Sequence, residues 1–152
     1  MKSFNFKLKA LMRLKESKRE QALTYLAHAI KEVQVSEEKL GVAYDKYQKV
    51  VELLGDRQKG TFRSDEIEAL QSSLFIEREN VAKAELQLKQ AQELEAARRK
   101  IFLDQDSQFK AIDRLREKQR EEHFSVENKM EQAELEDVIG SRFLFQRING
   151  HV

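Results

Sequence analysis

Apolar side chains recur along this chain at alternating steps of three and four residues. Met12, Arg19, Leu26, Val33, Leu40, Tyr47 and Leu54 mark one position of a seven-residue frame. Leu8, Lys15, Ala22, Ala29, Ser36, Ala43 and Val50 mark its companion position. Together they are the a and d positions of one unbroken helical seam. Leu23, Ile30, Tyr44 and Val51 widen the stripe, so it is broader than a strict zipper seam. A second frame opens at Ile67 and continues through Leu74, Val81, Leu88, Glu95, Phe102, Phe109, Arg116, His123 and Met130. Its d positions run from Leu70 through Ala84, Ile112 and Gln119 to Val126 and Ala133.

Between the frames lie Gly55, Asp56 and Gly60, a stop signal in which Gly55 suits a left-handed cap. Ser64 then precedes Asp65 and Glu66, an N-cap followed by acidic residues in the first turn. The pattern predicts an all-α fold: a long two-helix antiparallel coiled-coil hairpin, its second helix longer than its first. The helices are expected over about residues 4–54 and 64–139, with a loop at about 55–63. Residues 1–140 would form this single hairpin, and 141–152 a tail outside the frame that need not be ordered. Pairing brings Leu54 to Ile67, Val33 to Leu88 and Met12 to Phe109. The second helix therefore overhangs its partner beyond about residue 116. The opening "FNFKLKALMRLK" alternates like a strand at first, but Leu8 and Met12 belong to the frame that reaches Leu54, which predicts helix there too.

Composition supports long helices. The 152 residues include no Pro and only five Gly, and 36% are charged. Each interior Pro would cost about 3 kcal/mol, so helices here meet no such break. There is no Cys, which removes disulfides and thiolate metal sites and fits a reducing compartment. Uninterrupted apolar runs stop at three residues, too short for a transmembrane span or a secretory signal core. The balance of 28 basic and 27 acidic side chains argues against nucleic acid as a partner, and a cytoplasmic location is expected. Residues 1–20 are locally basic, with seven basic and two acidic side chains.

Chemistry is scarce. His28–Glu32 and His123–Glu127 have i,i+4 spacing, but no second pair lies opposite either, and a structural metal takes four ligands. There is no phosphate loop and no nucleophile elbow, and a two-helix hairpin offers no enclosed pocket. No enzymatic activity, cofactor or metal is expected. Binding surfaces are better supported. Phe75 and Ile76 fall off the seam, with Tyr44 at its margin, all towards the loop end. Lys18 and Arg19 lie opposite Arg98, Arg99 and Lys100, a basic group open to an acidic partner or simply solvated. Polar seam residues towards the termini, among them Lys15, Arg98, Gln105, Arg116 and Gln119, either fix register or mark a half that packs on a third surface.

Two stretches resemble the FliJ family of flagellar export proteins. The opening Phe4, Phe6, Leu8, Leu11, Leu14 and Glu16, followed by Gln21–Ala22, resembles that family's start, with Lys15 where Arg is expected. "ENKMEQAELED", residues 127–137, resembles its acidic segment near the C-terminus. The resemblance implies a non-catalytic component of the bacterial flagellar type III protein export apparatus, serving motility. It implies a central stalk that inserts into and activates the hexameric export ATPase. It further implies links to the linker of the export-gate membrane protein and to export chaperones, and a peripheral position on the inner membrane at the flagellar base. By position, Phe4, Phe6, Leu8, Leu11, Arg116, Gln119, His123, Val126, Met130 and Gln132 would face the ATPase ring. Tyr44, Tyr47, Phe75 and Ile76 would lie in the half that contacts the gate. The equivalent stalk of a virulence-type secretion system shares the architecture. A self-associating coiled-coil spacer and a lipid-binding amphipathic N-terminus are readings of other kinds.

Overall fold

A computed structural model describes residues 2–60 and 63–149. Thr61 and Phe62 of the expected loop, and residues 150–152 of the expected tail, lie outside the described residues. Two helices make up almost everything else: α1, Lys9–Gln58, and α2, Ser64–Asn149. They pack antiparallel, as a hairpin whose second helix is the longer.

The seven-residue frame explains the packing closely. Every a and d position of α1 from Met12 to Leu54 is buried or half-buried. So is every corresponding position of α2 from Ile67 to His123. The most buried side chains on α1 are Ala22, Leu26, Ala29, Val33, Ser36 and Ala43, and Ala84 joins them from α2. Alanines at the seam let the two backbones approach, and Leu26 and Val33 supply the apolar volume. Among the described residues no side chain is sealed completely, because a two-helix seam is open along both edges.

Contacts cluster in two units: Met1–Ser17 with Asp106–Val152, and Lys18–Gln105. In the second unit, Arg57 pairs with Glu66 at 3.2 Å and the Arg98 guanidinium lies 5.0 Å over the Tyr25 ring. These pairs share one antiparallel register, shifted about two residues along α2 from the expected pairing of Leu54 with Ile67, because antiparallel seams set a positions against d positions and not against other a positions. In the first unit, Lys15 Nζ donates to Gln108 Oε1 at 2.6 Å, so a charged seam residue is satisfied across the hairpin.

Three boundaries differ from the sequence expectation. Helix α1 starts at Lys9, not near Phe4; the Leu8 carbonyl accepts its first helical bond, from Met12 N. Residues 2–6 are neither helix nor turn, because Phe6 and Phe4 are drawn into tertiary contacts that a helix would not permit. At the loop, Gly55 lies inside α1, which runs on to Gln58, and no glycine among the described residues has a positive φ. The left-handed cap expected there is not used. Ser64 is already helical, and Arg63 takes the capping place, its carbonyl accepting from Ile67 N. Finally, α2 passes through Gly140 without a break and continues to Asn149. A single glycine costs a helix only about 1 kcal/mol, too little to end one with apolar residues on both sides.

Candidate protein-binding surfaces

The first unit holds the terminal surface. Residues 2–6 run against α2 instead of extending α1. Phe6 is buried, and its ring lies 6.5 Å from that of Phe4. Phe4 in turn sits 5.6 Å from the imidazole of His123, whose other neighbour is Phe124, edge-on at 5.4 Å. Nε2 of His123 donates to the Lys2 carbonyl oxygen at 3.0 Å, which holds the backbone of the leading segment to the helix. Arg120 completes the cluster, its guanidinium 5.6 Å over the Phe124 ring. Arg116 bonds Asp113 at 2.9 Å and Glu117 at 3.3 Å, and it borders a shallow groove with Phe4, Phe6 and Met12.

The ten residues expected at this end thus divide by role. Phe4, Phe6, Arg116, Gln119 and His123 are brought together and spend much of their surface on one another or on the seam. Leu8 and Leu11 are exposed on the outer side of the chain's start. Val126, Met130 and Gln132 belong to a stretch of α2 with no α1 residue opposite. From Asn128 to Ile148 every side chain is exposed.

That stretch carries apolar residues the sequence reading did not single out: Leu135, Val138, Ile139, Phe143, Leu144, Phe145 and Ile148. Phe145 is 66% exposed and Ile148 69%. An apolar surface of this extent on a helix with no partner opposite is a candidate interaction surface. The signal was present in "LEDVIGSRFLFQRI", residues 135–148, which has too many large apolar residues for a solvated tail.

The second unit holds the loop-side surface. Phe75 is 63% exposed and Ile76 56%; both stand on the outer face of α2 beside Glu68, Gln71 and Ser72. Tyr44 lies across the hairpin from Glu85, and its hydroxyl donates to Glu85 Oε1 at 2.6 Å. The neighbouring carboxylate holds the Tyr44 phenol above its ordinary pKa, first by that hydrogen bond and then by charge repulsion of a phenolate. Tyr47 is half-buried in the seam. Among the described residues no ring contact joins Phe75 to either tyrosine, so the four expected residues form no single cluster. The basic group is partly engaged: Arg98 covers Tyr25, and Arg99 pairs with Glu95 at 2.8 Å.

Among the described residues there is no grouping of three or more His, Asp or Glu suited to a metal ion. Among the described residues no helix is long and apolar enough to cross a membrane. What these surfaces can do is bind other proteins, through apolar contacts framed by charge.

Compared with known families, the chain matches the family described as "Flagellar FliJ protein" over residues 4–147. No curated protein and no solved structure matches it. The matched range takes in the leading segment with Phe4 and Phe6, the whole hairpin and the overhanging part of α2 up to Arg147.

Proposed function

The chain belongs to the FliJ family of flagellar type III export proteins, and on that premise we propose that it is the non-catalytic stalk of the flagellar export ATPase. The carrying observation is the continuous helical overhang of α2, exposed from Asn128 to Ile148 and rich in large apolar residues. A hexameric ring with a central opening would receive such a single helix, burying Phe143, Phe145 and their neighbours. Burial of one Phe or Leu is worth about 1.5–3 kcal/mol, so a few of them would hold the stalk in place. Activation would be mechanical: one asymmetric helix favours one arrangement of six subunits over others.

The loop-side surface is free for a second partner at the same time. Phe75 and Ile76, with Tyr44 nearby along the hairpin, would dock the linker of the export-gate membrane protein, and export chaperones would compete for this region. The chain would then sit in the cytoplasm at the inner face of the membrane, held by its partners and not by a span of its own.

The test is hydrolysis by the cognate export ATPase with and without the purified full-length chain. A clear rise in rate is expected, and a smaller one when Phe143 and Phe145 are both changed to Asp. No change in rate with the full-length chain would contradict the stalk role.

A further inference from the structure

The overhang of α2 has its own seam, separate from that of the hairpin. Asn128, Glu131, Leu135, Val138, Arg142 and Phe145 succeed one another at steps of three, four, three, four and three. This is an a/d pattern, and all six side chains are exposed. It does not continue the hairpin frame, whose last positions are Val126, Met130 and Ala133. Comparing a positions, the two are out of phase by two residues (128 against 130), about 200° round a helix that turns about 100° per residue. The new stripe therefore faces away from the hairpin seam, and a longer α1 would not have covered it. Three of its six positions, Leu135, Val138 and Phe145, are apolar, and α1 covers none of the six.

We infer that the overhang pairs with the overhang of a second copy of this chain, antiparallel, about a two-fold axis lying between Leu135 and Val138. Antiparallel seams match a positions with d positions. Here that places Leu135 of each copy in a layer with Val138 of the other, giving two apolar layers at the centre. The next layer outward sets Glu131 of one copy against Arg142 of the other, once on each side of the axis. Beyond it Asn128 meets Phe145. Ile139 flanks the centre and thickens it. The interface is isologous, so each favourable layer occurs twice.

Charge selects this orientation. In a parallel pair Glu131 would face Glu131 and Arg142 would face Arg142 within the seam, like charges in a partly desolvated layer. Antiparallel pairing turns both repulsions into ion pairs. Among the described residues neither Glu131 nor Arg142 takes part in an ion pair of its own chain. Charge also argues against a lipid surface as the occupant. Residues 127–148 hold five acidic side chains against three basic ones, Lys129, Arg142 and Arg147, which is not the cationic polar face that anionic membranes attract. The pairing is independent of the stalk reading. Where both operate, the free chain hides part of its apolar end until another partner displaces the second copy.

Sedimentation equilibrium of the full-length chain at tens of micromolar tests the inference. A reversible species of twice the 17.9 kDa chain mass is expected. E131R alone and R142E alone should each weaken it roughly tenfold or more. An equimolar mixture of the two single variants should restore it, because both ion pairs re-form in the mixed dimer, and so should the double variant E131R/R142E. The overhang is helical without a partner, so circular dichroism should show unchanged helix content in all of them. As a second readout, the chain has no native Cys, so L135C mixed with V138C should form a disulfide-linked dimer faster than either variant alone. A monomer throughout that range overturns the inference. So does a dimer indifferent to the single reversals, or one that mixing does not restore.

Discussion

Phe4 and His123 meet with ring centres 5.6 Å apart, and the same imidazole binds the Lys2 carbonyl through Nε2. These contacts turn the first residues of the chain into a clasp on α2 instead of the first turns of α1. The clasp closes the hairpin just before α2 continues unaccompanied. It separates the residues that hold the end together from those that are free to bind.

Removing the clasp should loosen this end without unfolding the rest. Phe6→Ala deletes a buried aromatic and should cost about 3 kcal/mol locally, with His123→Ala costing less. Amide hydrogen exchange should quicken over residues 9–16, while Leu26 to Val50 keeps its protection.

The seam of the second unit should show the opposite pattern. Leu26→Ala removes one of its best-buried large side chains and should destabilise the hairpin by about 2–3 kcal/mol. Val42→Ala, at a position 54% exposed, should stay within about 0.5 kcal/mol. Thermal melts of the two variants make the comparison directly.

Much of this architecture was legible in the residue pattern, and the exceptions share a cause. The frame through Leu26, Val33 and Leu40, and through Leu74, Val81 and Leu88, is a local periodicity, so it can be read without knowing what packs on it. The start could not be read that way. Phe4 and Phe6 fit either a strand or a helix locally, and only their contact with His123, more than a hundred residues away, decides against helix. Gly55 and Gly140 read as stops because glycine often ends helices, yet neither adopts the left-handed conformation that would require it. The overhang was expected only to about residue 139, because Gly140 reads as a stop and the apolar residues beyond it fall outside the frame.

Gly140 offers a direct check on that last point. A Cβ added there meets nothing within 4 Å, so Gly140→Ala brings no clash. It should stabilise the overhanging helix by about 1 kcal/mol and slow hydrogen exchange over residues 136–144. An alanine that disrupted helix content would show that α2 needs a bend at this place.

Tyr44 and Glu85 make a prediction about alkaline pH. The phenol is raised in the folded state, so folding favours its protonated form. Any stability this contributes is fully present below the ordinary phenol pKa of about 10 and is lost as pH rises through the folded value. Ultraviolet titration should show Tyr44 ionising later than in the Glu85→Gln variant, which lacks the carboxylate charge. Identical titration curves would mean that the 2.6 Å hydrogen bond does not persist in solution.

The most direct measurement of the stalk role compares three chains in the hydrolysis assay with the cognate export ATPase: full length, residues 1–127, and Phe6→Ala. Residues 1–127 keep the clasp and the whole paired hairpin and lose only the overhang and the last few residues of the chain. Stimulation is expected from the full-length chain, with its loss in the 1–127 chain and most of it retained with Phe6→Ala. Full stimulation by residues 1–127 would contradict the stalk role, because the exposed helix from Asn128 to Ile148 would then have no part in activating the ring.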